Sequence, residues 1–548
     1  MSIHSDVTRD GVVNYDTTLD KSVWTWGTRN EGGIGAILLV NNDCDGKRQQ
    51  SDSDDARING PLDLEDMSRI GLKMAGPVNL PPKYRLVLHS DGSHNHVRVF
   101  ELRHGGYESS ELIGPRNSSR DITHIWRGNG RQELAAEGID YPDKGFDGLG
   151  CISISVVDDR MTIYQDQFVF RVAPWIMTPN TLTPRMVFVA RMVDGDNTQF
   201  IHSLKKFTSS AGVPLEVVSP TMNKRDRWMQ DEIELGYSQA PHKGLDVVLD
   251  SPRDRGLKKY PKKQLLGPDF GYVTRGKGDY ANSLDSFGNL EVSPPIEGYP
   301  FGRIIFGGSA DYVHGRRMMK EVRDFLIAQQ VQAPIEVFSD WLVVGHVDEF
   351  MTFVPADKTK HPKKFKLLLA SPAACYALLE RLHSDGLGDS KMFEGKTRWN
   401  GWNATTTAKR LLQDKQLCKD NTRVQEYIDY NRTLLKHHLK LDESDIIDIP
   451  ALFVFEHGDR AGAYFPNMVN MLVLGHHLGI PKPFGPHIGG QCAIEHHVSS
   501  LLNPLGLVCH FIDDWSSYHV LSGEIHCGTN TLRRPFDIKW WETKELQQ

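Results

Sequence analysis

Arg171-Val172-Ala173-Pro174-Trp175 divides the 548-residue chain into two textures. Before it, from Trp24 onward, short strand-like runs lie between clusters of Gly, Pro and Asp: Ala36 to Val40, Tyr84 to His89, Val97 to Leu102, Cys151 to Val157 and Gln167 to Val172. Short strands with turn residues and little helical periodicity predict a β-sandwich over residues 22–170. Residues 1–21, polar and rich in Asp and Thr, read as an arm or linker. After the divide, strand-like runs (Met186 to Ala190, Leu245 to Leu249, Arg303 to Phe306, Leu342 to Val344, Phe365 to Ala370) alternate with helical spacing over Met318 to Gln330, Thr405 to Gln413 and Met468 to His477. That alternation predicts an α/β domain over residues 171–548.

Composition narrows the function. Hydrophobic content of 39% and charged content of 24% are those of a globular protein with a sizeable core. A formal charge of −7 argues against a general nucleic-acid binder, which needs a basic surface to displace counterions. It suits cationic substrates instead. The seven cysteines (44, 151, 375, 418, 492, 509 and 527) are scattered, with no CxxC pair, and the first residues show no signal-peptide pattern. A reduced, cytoplasmic protein is expected. Apolar runs such as Ala36 to Val40 are far too short to span a bilayer, so no membrane partner is expected.

An acidic stretch interrupts the sandwich: Asn41, Asp43 and Asp45 at alternate positions, then Asp52, Asp54, Asp55, Asp63, Glu65 and Asp66. Oxygen ligands at every second residue, followed by Gly46, are what a hard cation such as Ca2+ needs from a loop. A solvated acidic loop is the commoner origin of such clusters. Here the density favours metal binding, because so many carboxylates in one small domain repel each other without a counter-cation.

Three segments of the second half carry chemistry. His526-Cys527-Gly528-Thr529-Asn530 offers a thiol. Gly345-His346-Val347-Asp348-Glu349 offers an imidazole and a carboxylate two residues apart, on one face if the segment is a strand. Met229-Gln230-Asp231-Glu232-Ile233-Glu234 would, as a strand, put Gln230, Glu232 and Glu234 on one side for a metal and Asp231 on the other for a substrate. Each alone reads as ordinary surface or core. Together they shift the preference away from simple acyl transfer, which wants hydrogen-bond donors around its oxyanion rather than two carboxylates. Two carboxylates facing a cavity want a cation, and a guanidinium matches a pair of forked acceptors. A thiolate near its carbon could then displace ammonia, with the His supplying the proton. The adjacent pairs His437-His438, His476-His477 and His496-His497 point apart on a helix and are not expected to bind zinc, and Cys492 reads as structural.

These three segments resemble the active-site motifs of the peptidylarginine deiminases. So do Arg171 to Pro179, Asp285-Ser286-Phe287-Gly288-Asn289-Leu290-Glu291 and Phe465-Pro466-Asn467-Met468-Val469-Asn470-Met471, in the same order along almost the whole chain. The resemblance implies a calcium-dependent hydrolase that turns protein arginine into citrulline and ammonia. It implies a pseudo-fivefold α/β-propeller of ββαβ units behind an immunoglobulin-like sandwich. Residue by residue, it makes Cys527 the nucleophile that forms a thiouronium intermediate, His346 the general acid and base, and Asp231 and Asp348 the guanidinium clamp. Trp228 would wall the slot and Arg255 bind the substrate backbone. Gln230, Glu234, Phe287, Leu290 and Glu291 would hold one calcium ion, and Glu232, Asp250, Ser251 and Asp254 a second. Asn41, Asp43, Asp45, Asp52, Asp55, Asp63 and Asp66 would hold further ions in the sandwich, with Asp269 and Glu137 reaching them from elsewhere.

Against the family pattern, the first N-terminal sandwich domain is missing, so no dimer built on that domain is expected. Leu521-Ser522 replaces a basic segment, which bears on flanking-residue preference. Two rival readings remain: a deiminase of free arginine or a small guanidine, and a catalytically silent calcium-binding module.

Overall fold

The computed structural model describes the chain except residues 47–48, 103–108, 160, 311–313, 358, 360, 399, 456–457 and 547–548. The first part is a sandwich of two five-stranded sheets. One runs Ser2–His4, Ser68–Met74, Gly130–Gly138, Val97–Leu102, Ser109–Ile113, all antiparallel. The other runs Ala36–Leu38, Met161–Val172, Leu149–Asp158, Tyr84–Ser90, Ser119–Asp121, with only Ala36–Leu38 parallel to its neighbour. Alternate residues face inward, as a two-layer core requires: Leu86 and Leu88, Val97 and Val99, Ile152 and Ile154, Phe168 and Phe170 are all buried. The same apolar cluster continues through Trp175, Val247 and Phe325, so the two halves share a core.

Residues 1–21 are not the free arm expected. Ser2–His4 is an edge strand with Ile3 fully buried, and Ile3 N donates to Asp166 Oδ2 at 2.9 Å. Lys21 closes on the same carboxylate at 2.5 Å. One buried Ile among polar residues is too faint a strand signal to read from sequence.

The second part holds five small sheets that repeat one plan: a strand, an antiparallel neighbour, a helical connection, and a third strand parallel to the middle one. The sheet centred on Gly244–Asp250 pairs with Ile233–Gln239 and Phe270–Thr274, and Ile176–Met177 adds a short edge. Those centred on Ile304–Gly308, Phe365–Ser371 and His477–Pro481 open with Leu290–Val292, Met351–Pro355 and Leu472–Leu474. In the remaining sheet, Pro184–Ala190 takes its antiparallel partner, Thr529–Arg533, from the far end of the chain. The helices cover the sheets; the longest is Lys415–Leu439, with Leu417, Val424, Ile428, Leu435 and Leu439 buried at helical spacing.

Four expectations fail locally. Met468 to His477 is not helical; it forms the strand Leu472–Leu474 and its turn into His477–Pro481. Leu342 to Val344 is no strand, but Leu342 makes an isolated bridge to Ala461. Both runs are apolar and short, where periodicity cannot separate helix from strand. Met229–Glu232 and Val347–Glu349 are short helical turns rather than strands, with His346 capping the second.

Candidate active site

The functional segments share one place in the repeated plan. Asp231, Gly288, Asn470 and Cys527 each stand two residues before the opening strand of a different sheet, and Asp348 stands three before the fifth. The five turns meet. A Cβ built on Gly288 would lie 2.4 Å from His346 Nδ1, 3.2 Å from Asp231 Oδ1 and 3.2 Å from Asp348 Oδ2, so no larger residue fits without displacing the cluster. Cys527 Sγ lies 3.5 Å from Asp348 Oδ2. His346 Nδ1 lies 3.6 Å from Asp231 Oδ1.

Being helical turns, the two motifs fan their side chains out instead of alternating them. On Met229–Glu232, Gln230 turns toward Glu234, Asp231 toward His346, and Glu232 toward Arg253. One four-residue turn therefore serves three separate clusters, which strand alternation would not allow.

His346 is oriented by its backbone partner. Its Nε2 meets the Ser283 carbonyl at 2.8 Å, and a carbonyl only accepts, so Nε2 carries hydrogen. The other ring nitrogen, Nδ1, has no hydrogen-bond partner and faces Asp231. Asp348 is held by His526 Nδ1 at 2.9 Å through Oδ2, leaving buried Oδ1 without a partner. Burial raises the Asp231 carboxyl, against the opposing pull of His346 and Arg253. Burial, then the charges of Asp348 and Asp231, push the Cys527 thiol well above its usual range.

A cavity of about 490 Å3 leads to Cys527. Its walls include Phe393, Tyr464 and Trp515, with Leu521 and Ser522 beside Cys527 and Glu349 and Glu524 among its acidic groups. Trp228 packs on Gly523, where an added Cβ would meet the indole at 2.3 Å and Cys527 Cβ at 3.3 Å. Arg255 is exposed.

The cation-ligand candidates fall into three groups, each tested by what its oxygens lack. Gln230, Glu234, Leu290 and Glu291 line a space of about 30 Å3, larger than the 10–15 Å3 or so that one water needs. Phe287 presents its carbonyl to Gln230 Nε2 at 3.2 Å. Burial raises Glu234 strongly and also raises Glu291. In the second group Glu232 Oε1, Asp250 Oδ1 and Ser251 Oγ are buried without partners, and burial lifts Glu232 to about 9 and Asp250 to about 7. Asp254 stands apart, exposed and paired with Lys258 at 2.7 Å. In the sandwich, carboxylate oxygens of Asp43, Asp45 and Asp66 lie within 4.8 Å of one another. Oxygens of all three, and of Asn41, lack partners. Asn41 Nδ2 bridges Asp63 at 2.6 Å and Glu137 at 2.8 Å; Asp52 accepts from Asp45 N at 2.7 Å, and half-buried Asp55 accepts from Arg57 N at 2.9 Å. Asp269 reaches in from the second half by its backbone N–H, 2.8 Å from Asp43 Oδ2, while its carboxylate pairs with Lys243. Orphaned, buried oxygens in the second group and in the sandwich fit a hard cation. In the first group the carboxylate oxygens of Glu234 and Glu291 all have hydrogen-bond partners, and buried Arg533 lines the same space.

The comparisons follow the same division. Residues 162–542 match the family described as protein-arginine deiminase (PAD), and residues 1–158 match its middle domain. The chain belongs to the protein-arginine deiminase family. It is 47% identical over 557 residues to protein-arginine deiminase type-1 of Mus musculus, spanning 99% of this chain and 82% of that one. To protein-arginine deiminase type-4 of Homo sapiens it is 46% identical over 558 residues, with the same two shares. C. jejuni agmatine deiminase, a solved structure, aligns with 67% of this chain and 98% of its own at 11% identity, with a TM-score of 0.38.

Several residues of this protein-arginine deiminase site escape a reading by motif. Arg253 is buried between Asp226 and Glu232, 2.9 Å from each, and 4.0 Å from Asp231. His526 and Asn470 lie inside the quoted motifs, but only the fold shows what they touch. Glu524 accepts from Asn467 N at 3.0 Å and pairs with His519 at 2.8 Å. Among the described residues no helix is long and apolar enough to cross a membrane.

Proposed function

We propose that the protein hydrolyses peptidyl-arginine to peptidyl-citrulline and ammonia, using Cys527 as nucleophile. The observation that carries this reading is the convergence at Gly288 of one imidazole nitrogen and two carboxylates, with the sulfur 3.5 Å from one of them. Arginine brings a permanent positive charge. Held between Asp231 and Asp348, it cancels the two charges that raise the thiol, so the substrate itself favours the thiolate. The thiol proton passes to His346 Nδ1, the sulfur attacks the guanidinium carbon and a C–S bond forms. His346 gives its Nδ1 proton to the departing nitrogen, the C–N bond breaks, and ammonia leaves a thiouronium. Water then attacks the same carbon and His346 takes one of its protons; the C–S bond breaks, the water's second proton goes to the leaving sulfur, and the urea group of citrulline and the Cys527 thiol are released.

Trp228 walls the slot beside the sulfur, and Arg255, exposed outside it, binds substrate backbone carbonyls. That contact favours arginine within a chain over free arginine. The meeting of five equivalent turns supports a closed, pseudo-fivefold propeller of ββαβ units. Calcium ions, held by the three groups of oxygens, would neutralise buried charge and fix the turns that carry them. Within the chain itself, Asp231 sits between Gln230 and Glu232, so ordering of that turn and ordering of the clamp are one event.

The test is citrulline release from a blocked arginine amide and from free arginine, with and without calcium, for wild type and Cys527→Ala. Activity on the amide that needs Cys527 and calcium is expected. Turnover of free arginine alone would overturn the protein-substrate reading, and no turnover of either would favour a silent calcium-binding module.

A further inference from the structure

Four of the five turns that meet at the cleft supply the proposed sulfur, His346, the two carboxylates and the space at Gly288. The fifth supplies Asn470, which stands two residues before Leu472–Leu474, as Cys527 stands two before Thr529–Arg533. We propose that Asn470 is a further catalytic residue: its carboxamide donates a hydrogen bond to the Cys527 sulfur and stabilises the thiolate. This rests on Cys527 being the nucleophile.

The amide is 1% exposed and fully engaged. Its Oδ1 accepts from Cys527 N at 3.2 Å. Its Nδ2 donates to the Asp348 carbonyl at 3.1 Å and to Cys527 Sγ at 3.2 Å. Amide orientation is normally a matter of inference. Here two backbone groups fix it, because Cys527 N–H can only donate and the Asp348 carbonyl can only accept. Rotating the amide by a half-turn would set hydrogen against hydrogen and oxygen against oxygen. The amino group must therefore face the sulfur, with one hydrogen for the carbonyl and one for Sγ. The Asn470 carbonyl, accepting from His526 N at 3.2 Å, ties the two turns together again.

The sulfur needs such a donor. Its other hydrogen-bond partner among the described residues is a carboxylate oxygen, Asp348 Oδ2. Burial and neighbouring negative charge both oppose the thiolate. A neutral donor favours the anion without adding a cation that would compete with arginine for the clamp. A lysine or histidine in its place would repel the substrate.

Because Asn470 also joins three turns, the experiment must separate support of the fold from support of the thiolate. Asn470→Asp keeps the shape and the acceptor for Cys527 N but replaces the donor with a negative oxygen. Asn470→Ser keeps a smaller donor. Each is measured for melting temperature, for the pH dependence of Cys527 alkylation by iodoacetamide, and for kcat/KM on a blocked arginine amide against pH. We expect the alkylation midpoint to rise by about one pH unit or more in Asn470→Asp and by less in Asn470→Ser. We expect kcat/KM to fall by ~10²-fold or more in Asn470→Asp, as when a preorganised donor is lost. Alkylation profiles that superpose on wild type, in whichever variant keeps a wild-type melting temperature, would overturn the proposal. The parent reading fails differently: Cys527→Ala would stay active, or alkylation of Cys527 would leave wild-type turnover intact.

Discussion

Gly288→Ala replaces a hydrogen with a methyl group at the point where the side chains of the cleft converge. The new Cβ would sit 2.4 Å from His346 Nδ1, where ordinary contact needs about 3.5 Å, so something must move by about 1 Å. The neighbours cannot give cheaply. His346 is tied by Nε2 to the Ser283 carbonyl and by its backbone N–H to Glu349 Oε1 at 2.8 Å, and Asp348 is held by His526. Retreat of the imidazole separates the proton donor from the departing nitrogen; retreat of the Gly288 backbone disturbs Phe287 and Leu290. A displacement of that size costs ~10²-fold in rate, while overpacking costs about 1–3 kcal/mol of stability. The protein should therefore remain folded at 25 °C and lose most of its activity. The assay is citrulline release from a blocked arginine amide, beside a melting curve. Gly92→Ala, where an added Cβ meets nothing within 4 Å, is the control. If Gly288→Ala keeps kcat/KM within about three-fold of wild type, the cleft is not assembled around this glycine in the working enzyme.

Asp348→Asn should lower kcat/KM on the amide by ~10²-fold or more, since one arm of the clamp loses its charge, and the loss should be visible at saturating substrate. Burial lifts Glu524 to about 8. Its folded value thus lies above its unfolded one, so its stabilising contribution is complete below about pH 4.3 and is lost as pH rises through about 8. Glu524→Gln should raise the melting temperature relative to wild type at about pH 9 and do so much less at about pH 5; an equal effect at both would refute the shift. Arg253→Met strands Glu232 and Asp226 in the interior and should destabilise by about 3–5 kcal/mol, read in urea denaturation. Adding calcium should raise the melting temperature by linkage, and Asp43→Asn with Asp66→Asn should blunt that rise; an unchanged melting curve in calcium and in chelator would dismiss the ligand groups.

What the sequence disclosed, and what it withheld, follows from the range of the forces involved. Alternation along Tyr84–Ser90 or Val97–Leu102 is local, so the sandwich was legible. The acidic loop was legible for the same reason, as seven of its candidate ligands lie between Asn41 and Asp66. The helical turns at Met229–Glu232 and Val347–Glu349 were misread as strands because polar residues so dense satisfy either period. Contacts such as Arg253 with Asp231, His526 with Asp348 or Asn470 with the sulfur join separate turns, and no local pattern announces them. Ser2–His4 was missed because an edge strand needs only one buried face.

The pairing of Thr529–Arg533 with Pro184–Ala190 has a consequence for synthesis. A ribosome releases the first of these strands long before the second, so the earliest sheet of the second half waits, two strands wide, for a segment translated far later. The sulfur rides on that segment. A nascent or prematurely terminated chain can thus fold its sandwich and several sheets while holding no reactive thiol in the cleft, and its unpaired Pro184–Ala190 edge stands open to other chains until the polypeptide is complete.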